Sequence, residues 1–319
     1  MVQTSILDHT MFVYREADEL VEALTPVLRD ALGAGQRVVV NIRDERTAPL
    51  SAALGDTASR IEWTDTYAWM PHPARRLRAI EELVEAQRAQ GDQGLLFVGE
   101  CAWPRAPESL VREWERFDVI LNESLSGAPA SMLCLYDASV LAPSIIDRAR
   151  QTHPQHGCGP RIIANPHCTD TVTALRRLAP GDLVVPEDAP CLGQVREARA
   201  ARAFVAEHLK PTDLQQDQRE ELIVVTSELV ANSLKAAAET VSVAVWERDG
   251  AIAVQVDDDG RGISDPFAGY HRPEREATGG RGLWMARQLC DVVEISSRPD
   301  RTAVRAIQVL ARSSQASSA

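Results

Sequence analysis

From Gln218 to Ala238 no Gly or Pro interrupts the chain, and Leu222, Val225, Leu229 and Ala236 recur at steps of three, four and seven. That period predicts an amphipathic helix. The period then changes: Val241–Val245 and Ile252–Val256 alternate around an Arg248-Asp249-Gly250 turn, which predicts a hairpin. A short helix is expected from Leu283 to Leu289 and a longer one upstream, from about Gln194 to Leu209. The first half of the chain has another rhythm. A helix-like Asp18–Leu32, closed by Gly33-Ala34-Gly35, leads into the apolar run Arg37–Ile42. A helix from about Ala74 to Gln90 leads through Gly91 to Gly94–Val98, and one from about Glu108 to Leu121 leads to Ala130–Tyr136. Strands separated by helices predict an α/β layer structure with a mostly parallel sheet covered on both faces.

A chain of 319 residues is long for one domain and comfortable for two. The stretch from about His153 to Gly193 carries Pro160, Pro166, Pro180, Pro186 and Pro190 and reads as a partly ordered connector. We divide the chain into residues 1–170, a connector at 171–191, residues 192–311, and a Ser- and Ala-rich tail at 312–319 expected to be disordered. The net charge of −12 is spread over both halves, and neither is basic, which argues against direct nucleic-acid binding. No stretch has the apolar length of a membrane span, and residues 1–20 lack a secretory core. With no export signal and no framework spacing, the six cysteines are expected to be reduced thiols in a cytoplasmic protein.

The candidate chemistry lies in the last third. On the predicted helix, Glu228, Asn232 and Lys235 form a polar flank beside the apolar stripe. A carboxylate and a carboxamide one turn apart offer the oxygen ligands that suit Mg²⁺. The hairpin runs into Asp257-Asp258-Asp259-Gly260-Arg261-Gly262, where a strand-end carboxylate can accept an adenine amino proton and glycines admit close approach of a ligand. Gly279-Gly280-Arg281-Gly282 precedes the last helix, whose N-terminus favours phosphate. Each fragment alone fits an ordinary helix edge or turn; in this order they describe a nucleotide site. Residues 263–278, polar and carrying Pro266 and Pro273, read as a lid over it. No GxxxxGK[ST] segment is present, so a P-loop of that type is excluded.

With these motifs, residues about 192–311 resemble the GHKL-type ATPase domain of the anti-sigma-factor serine/threonine kinase branch, an α/β sandwich with a mixed sheet. Glu228–Asn232 is similar to its N box, Asp258-x-Gly260-x-Gly262 to its first glycine box, and Gly280–Trp284 to its second. The resemblance implies that Asn232 binds Mg²⁺, Glu228 is the general base, and Asp258 reads adenine with help from Thr302. It further implies that Gly280 and Gly282 line the phosphates, and that Lys235, Gly260, Gly262, Arg281 and Leu283 belong to the ATP site. One departure is Ala236, where many relatives carry a His.

Residues about 5–170 carry His9–Tyr14, Gly99–Trp103, Cys134–Asp137 and His153-Pro154, and resemble the MEDS sensory domain. That resemblance implies a RecA-like αβα fold that senses an unknown small molecule or protein. Three further features are candidates there. Glu100, beside Trp103, stands at a strand end where open α/β sheets bind ligands. His153, His156, Cys158, His167 and Cys168 are of metal-ligand type, although their spacing is not a recognised zinc pattern and Asn165–His167 resembles a trailing strand. Trp63, Trp69, Trp103 and Trp114 suggest core packing or an apolar pocket.

The expected function is a cytoplasmic bacterial regulator: an ATP- and Mg²⁺-dependent kinase that phosphorylates a serine or threonine of an anti-anti-sigma, STAS-type partner. The same domain would sequester a sigma factor, under control of the sensory domain. A homodimer is left open, and no membrane partner is expected. The alternatives are a non-catalytic, ATP-dependent binding module and an atypical histidine kinase. The last is disfavoured, because His208 on a single helix cannot supply a phosphoacceptor hairpin.

Overall fold

The computed structural model describes residues 8–67, 72–89, 94–101, 107–158, 161–236, 238–273 and 280–310. Trp69, Trp103, Gly91, Pro160, Gly279, the end of the expected lid and the tail therefore fall outside the described residues, as does the side chain of Cys158. Two compact units divide the chain, Met1–Arg177 and Leu178–Ala319.

In the first unit the elements are β1 (Asp8–Tyr14), α1 (Ala17–Gly33), β2 (Arg37–Ile42), α2 (Asp44–Leu54), β3 (Glu62–Asp65), α3 (Pro73–Ala89) and β4 (Leu95–Cys101). They continue with α4 (Glu108–Ser124), β5 (Ala130–Asp137), α5 (Pro143–Ala149), β6 (Gln155–Cys158), β7 (Arg161–Ala164) and α6 (Thr171–Leu178). The sheet runs β3-β2-β4-β5-β1-β6-β7 and is parallel except at its β7 edge. Alternate residues face opposite layers, as the two-residue period of a strand requires. Phe12, Leu133 and Leu135 join Leu20, Leu24, Leu28, Leu50 and Leu54 of α1 and α2. Their neighbours Met11, Cys134 and Tyr136 join Val111 of α4 and Ile145 and Ile146 of α5. Burial on both faces is why these strands read as unbroken apolar runs. Residues 165–167 are not a strand: β7 ends at Ala164, and Asn165 donates through Nδ2 to the Arg150 and His153 carbonyls, which closes a turn.

The second unit holds β8 (Cys191–Leu192), α7 (Ala198–Leu209), α8 (Gln216–Lys235), β9 (Val241–Arg248), β10 (Ala251–Asp258), α9 (Arg281–Leu289), β11 (Val292–Arg298) and β12 (Arg301–Val309). Helix α7 starts at Ala198, not Gln194, because Leu192 pairs with Val243 and Gln194 takes a positive φ of 51°. Helix α8 starts two residues earlier than expected, at Gln216, after a reciprocal Gln215–Gln218 capping box. It stops at Lys235 rather than Ala238. The α/β sandwich is as expected. Its sheet, ordered β11-β12-β10-β9-β8, is antiparallel at every pairing among the described residues, where a mixed sheet was expected. The reason is connectivity: two hairpins, β9–β10 and β11–β12, meet through β10 and β12. One face buries Val243, Val245, Ile252, Val254, Val256, Val304 and Ala306 under Val205 and Leu209 of α7, Leu222, Val225 and Leu229 of α8, and Ala286 of α9. The other face is covered by a strap. Gln255 donates to the Leu183 carbonyl at 3.1 Å, Arg301 to the same carbonyl at 3.0 Å, and Arg305 to the Val184 carbonyl at 3.1 Å.

Candidate functional site

Strand parity sorts the three consecutive aspartates. Asp258 and Thr302 are register partners on β10 and β12 and share the parity of Val254, Val256, Val304 and Ala306, so they point to the helical layer. Asp257, one residue earlier, faces the strap and accepts from Arg301 Nη2 at 2.5 Å. Asp259, one residue later, has left the strand and accepts from the Glu239 and Thr240 amides at 2.8 and 2.9 Å and from the Thr240 hydroxyl at 2.7 Å. Only Asp258 is left for the cleft. Its Oδ2 accepts from Ser233 of α8 at 2.6 Å and its Oδ1 from the Gly260 amide at 2.9 Å. A carboxylate has about four acceptor positions, so the orientation is fixed while capacity remains for a ligand.

The cleft is walled by Leu229, Val256, Ile263, Leu283 and Val304, with Asn232, Ser233, Asp258 and Thr302 as its polar groups. That is the composition of a small-molecule site: mostly apolar, with a few fixed polar atoms. The hydroxyl of Thr302 is buried, and it has no hydrogen-bond partner among the described residues. A buried hydroxyl without a partner costs about 1–3 kcal/mol, so its placement in the cleft wall fits a ligand that completes it.

The glycines set the approach distances. Gly262 has φ +78°, and a Cβ there would meet Ser297 Oγ at 2.9 Å. A Cβ on Gly260 would lie 3.1 Å from that of Ala236 and 3.3 Å from its carbonyl oxygen. Gly282, in the first turn of α9, lies against α8: a Cβ there would be 2.6 Å from Asn232 Nδ2 and 3.4 Å from Glu228 Cβ. The start of α9 is thereby held beside Glu228 and Asn232, both half-buried on α8. Gly280 caps α9 in the left-handed conformation, φ +85°. First-turn amides have no acceptor in their own helix and carry the positive end of its dipole, which suits phosphate. Arg281 is exposed at that end, Leu283 reaches into the cleft, and Lys235 is exposed at the last turn of α8.

Sequence reasoning missed the supports. Ser233, Ser297 and Arg287 carry no motif. Ser297 Oγ accepts from the Ile263 amide at 2.7 Å. Arg287 donates to the Ala268 and Val293 carbonyls at 3.2 and 3.1 Å, and its guanidinium lies 3.7 Å from the centre of the Tyr270 ring. A Cβ on Gly269 would fall 2.8 Å from the Leu283 backbone. The first part of the segment read as a lid is thus docked on α9, and residues 274–278 lie outside the described ones. The available signal for Arg287 was a basic residue in the last turn of a short helix, which is too common to single it out.

In the first unit, Glu100 is fully engaged. It accepts from the Tyr14 hydroxyl and from the Arg43 amide and Nε, both at 2.8 Å, and Arg43 also donates to Asp137 at 2.5 Å. Trp63 packs on the α1–α2 side, whereas Trp114 meets Phe117 edge-on at 5.4 Å on the other, so they share no pocket. Of the five residues of metal-ligand type after residue 152, the four with described side chains do not converge. His167 is exposed, Cys168 and His156 are half-buried on separate segments, and His153 is buried elsewhere, beside His9, Asp118 and Cys134. Burial keeps both imidazoles neutral, lowering His9 to about 3 and His153 to about 4. Burial also raises the Asp118 carboxyl to about 6.

Residues 8–154 match the MEDS family model, described as the methanogen/methylotroph, DcmR sensory domain. Residues 193–308 match the histidine kinase-like ATPase domain. No curated protein matches the chain. Among solved structures, the chain is similar to the RsbU and RsbW domains of Rv1364c from Mycobacterium tuberculosis, at 20% identity and a TM-score of 0.29, over 39% of this chain and 33% of that one. It is also similar to the histidine kinase domain of the blue-light activated histidine kinase of Erythrobacter litoralis, at 17% identity and a TM-score of 0.25, over 40% and 66%. The chain therefore spans about a third of the first of these and just under two thirds of the second. No described helix is long and apolar enough to cross a membrane.

Proposed function

We propose that this chain, a MEDS domain followed by a histidine kinase-like ATPase domain, is a signalling regulator whose second domain binds Mg·ATP and phosphorylates a serine or threonine of an anti-anti-sigma, STAS-type partner. The observation that carries the nucleotide reading is the pairing of Asp258, oriented yet with acceptor capacity to spare, with the unpartnered Thr302 hydroxyl in one apolar cleft. Asp258 accepts from the adenine amino group while Thr302 supplies the second polar contact and Leu229, Val256, Ile263 and Val304 exclude water. Gly280 and Gly282 bring the first turn of α9 to the phosphates, flanked by Lys235 and Arg281. Asn232 offers its amide oxygen as the magnesium ligand. Bound Mg·ATP supplies the transferable phosphoryl group and neutralises its charge. Glu228, four residues before Asn232 on the same face of α8, accepts the proton of the partner's hydroxyl.

Two features favour a hydroxyl acceptor over a histidine. Upstream of α8 the described residues of the second unit form only the single helix α7, and its His208 is tied through Nδ1 to the Phe204 carbonyl at 2.8 Å. A second reading, ATP-dependent sequestration of a sigma factor without transfer, is favoured by Ala236 at the position where many relatives carry a His.

The test combines calorimetry with label transfer. Asn232→Ala and Asp258→Asn should each weaken Mg-dependent ATP binding at least tenfold. Glu228→Ala should retain ATP and partner binding while losing acid-stable transfer from γ-labelled ATP to STAS-type proteins. A folded wild type that binds no ATP sinks the whole reading. Binding without transfer leaves the sequestration module, and acid-labile label on this chain's own histidine would establish the histidine kinase instead.

A further inference from the structure

We propose that the MEDS domain holds one buried divalent transition metal, zinc by its donor chemistry, between His9, Asp118, Cys134 and His153. Each residue offers one ligand atom, and the four atoms all lie within 4.8 Å of one another. They arrive from four places: β1, α4, β5 and the turn that follows α5. Ligands so far apart along the chain form no local motif, so the site left no trace in the spacing of residues.

Atom by atom, the cluster is arranged as a ligand shell. His9 and Cys134 stand on neighbouring parallel strands with the same parity, and His9 Nε2 is 3.2 Å from Cys134 Sγ. In a tetrahedral zinc site with bonds of about 2.0 Å to nitrogen and about 2.3 Å to sulfur, that edge would measure about 3.5 Å. His9 Nδ1 lies 3.1 Å from the Asn122 carboxamide oxygen, whose orientation is set because Asn122 Nδ2 donates to the Thr152 carbonyl at 2.7 Å. The His9 proton is therefore on Nδ1, and the Nε2 lone pair points inward. His153 repeats the arrangement: Nδ1 donates to the Ala149 carbonyl at 2.8 Å, leaving Nε2 as the acceptor. That Nε2 is buried and has no partner among the described residues. Asp118 Oδ2 accepts from the Tyr136 hydroxyl at 2.6 Å, and its other oxygen remains to ligate.

Outer N–H groups bonded to a carboxamide and to a backbone carbonyl are how metal-bound histidines are held in orientation. Two imidazoles, a thiol and a carboxyl form a four-coordinate N₂SO set that suits zinc over magnesium or calcium, which prefer oxygen. Four protein donors close the shell, so the metal's role is structural: it ties α4 and the turn after α5 to the central strands β1 and β5. On binding, Cys134 releases its proton to solvent and becomes the thiolate ligand.

The test uses the full chain, stripped with a chelator and titrated with Co²⁺ alone, then competed with Zn²⁺. The expected result is one equivalent per chain, with a thiolate-to-cobalt charge-transfer band. Cys134→Ser should lose that band, and Asp118→Asn should lower metal affinity at least tenfold; Cys191→Ser, an exposed thiol elsewhere, should change neither. X-ray absorption on the zinc-loaded wild type needs no variant and should show one sulfur beside nitrogen and oxygen neighbours. No stoichiometric binding by the folded wild type, a band that survives Cys134→Ser, or a shell without sulfur would each overturn the site.

Discussion

Replacing Thr302 by Val separates the needs of the fold from those of the ligand. The two side chains have nearly the same shape, and Thr302 is 3% exposed, so packing changes little. Its hydroxyl has no partner among the described residues. Burying such a group costs about 1–3 kcal/mol, and replacing it with an apolar group of the same shape can be stabilising. Nucleotide-free Thr302→Val should therefore melt higher. At roughly 2–4 °C per kcal/mol for a unit of this size, the rise should be several degrees. ATP affinity should move the other way. A hydrogen bond contributes about 0.5–1.5 kcal/mol net, which is roughly a two- to twelve-fold loss in Kd. Differential scanning fluorimetry without nucleotide and calorimetry with Mg·ATP read the two signs separately. A variant that melts lower and binds ATP as tightly as the wild type would refute the assignment, because Thr302 would then be making a structural bond.

Gly282→Ala tests the contact between α8 and α9. Ala in a helix is normally worth about 1 kcal/mol over Gly, but here the new methyl would sit 2.6 Å from Asn232 Nδ2 and must turn that amide aside. Melting should change by less than about 1 kcal/mol while Mg-dependent ATP affinity falls at least tenfold; unchanged affinity would remove Asn232 as the metal ligand. Arg287→Leu leaves the Ala268 and Val293 carbonyls without their donor and removes the cation from the Tyr270 ring. The second unit should lose about 2 kcal/mol or more, and amide exchange across residues 263–273 should quicken; exchange at wild-type rates would show that Arg287 does not hold the loop.

Some of this was legible in the residues and some could not be. Strands β2, β4 and β5 of the first unit are written in unbroken apolar runs, since a strand buried on both faces has no polar phase to disguise it. The helix α8 and the β9–β10 hairpin are written in their periods. Asp258 could be picked out because Asp258-x-Gly260-x-Gly262 resembles a known glycine box. What escaped is contact between elements distant in sequence. Ser233 meets Asp258 across 25 positions and Ser297 meets Ile263 across 34, and neither serine looks different from any surface serine. The antiparallel second sheet escaped because period alone gives a strand's faces and not its neighbour's direction. The cluster around His153 escaped for the same reason: its neighbours there are 144, 35 and 19 positions away, and no local spacing marks them.

The strap over the second sheet pins the chain that follows α6 to that sheet. Chain leaving α6 is grasped within a few residues by Gln255, Arg301 and Arg305 at the Leu183 and Val184 carbonyls. Those three side chains stand on β10 and β12, and Arg301 is adjacent in sequence to Thr302. The strap is thus anchored on the two strands that carry Asp258 and Thr302, on the reverse side of the same sheet.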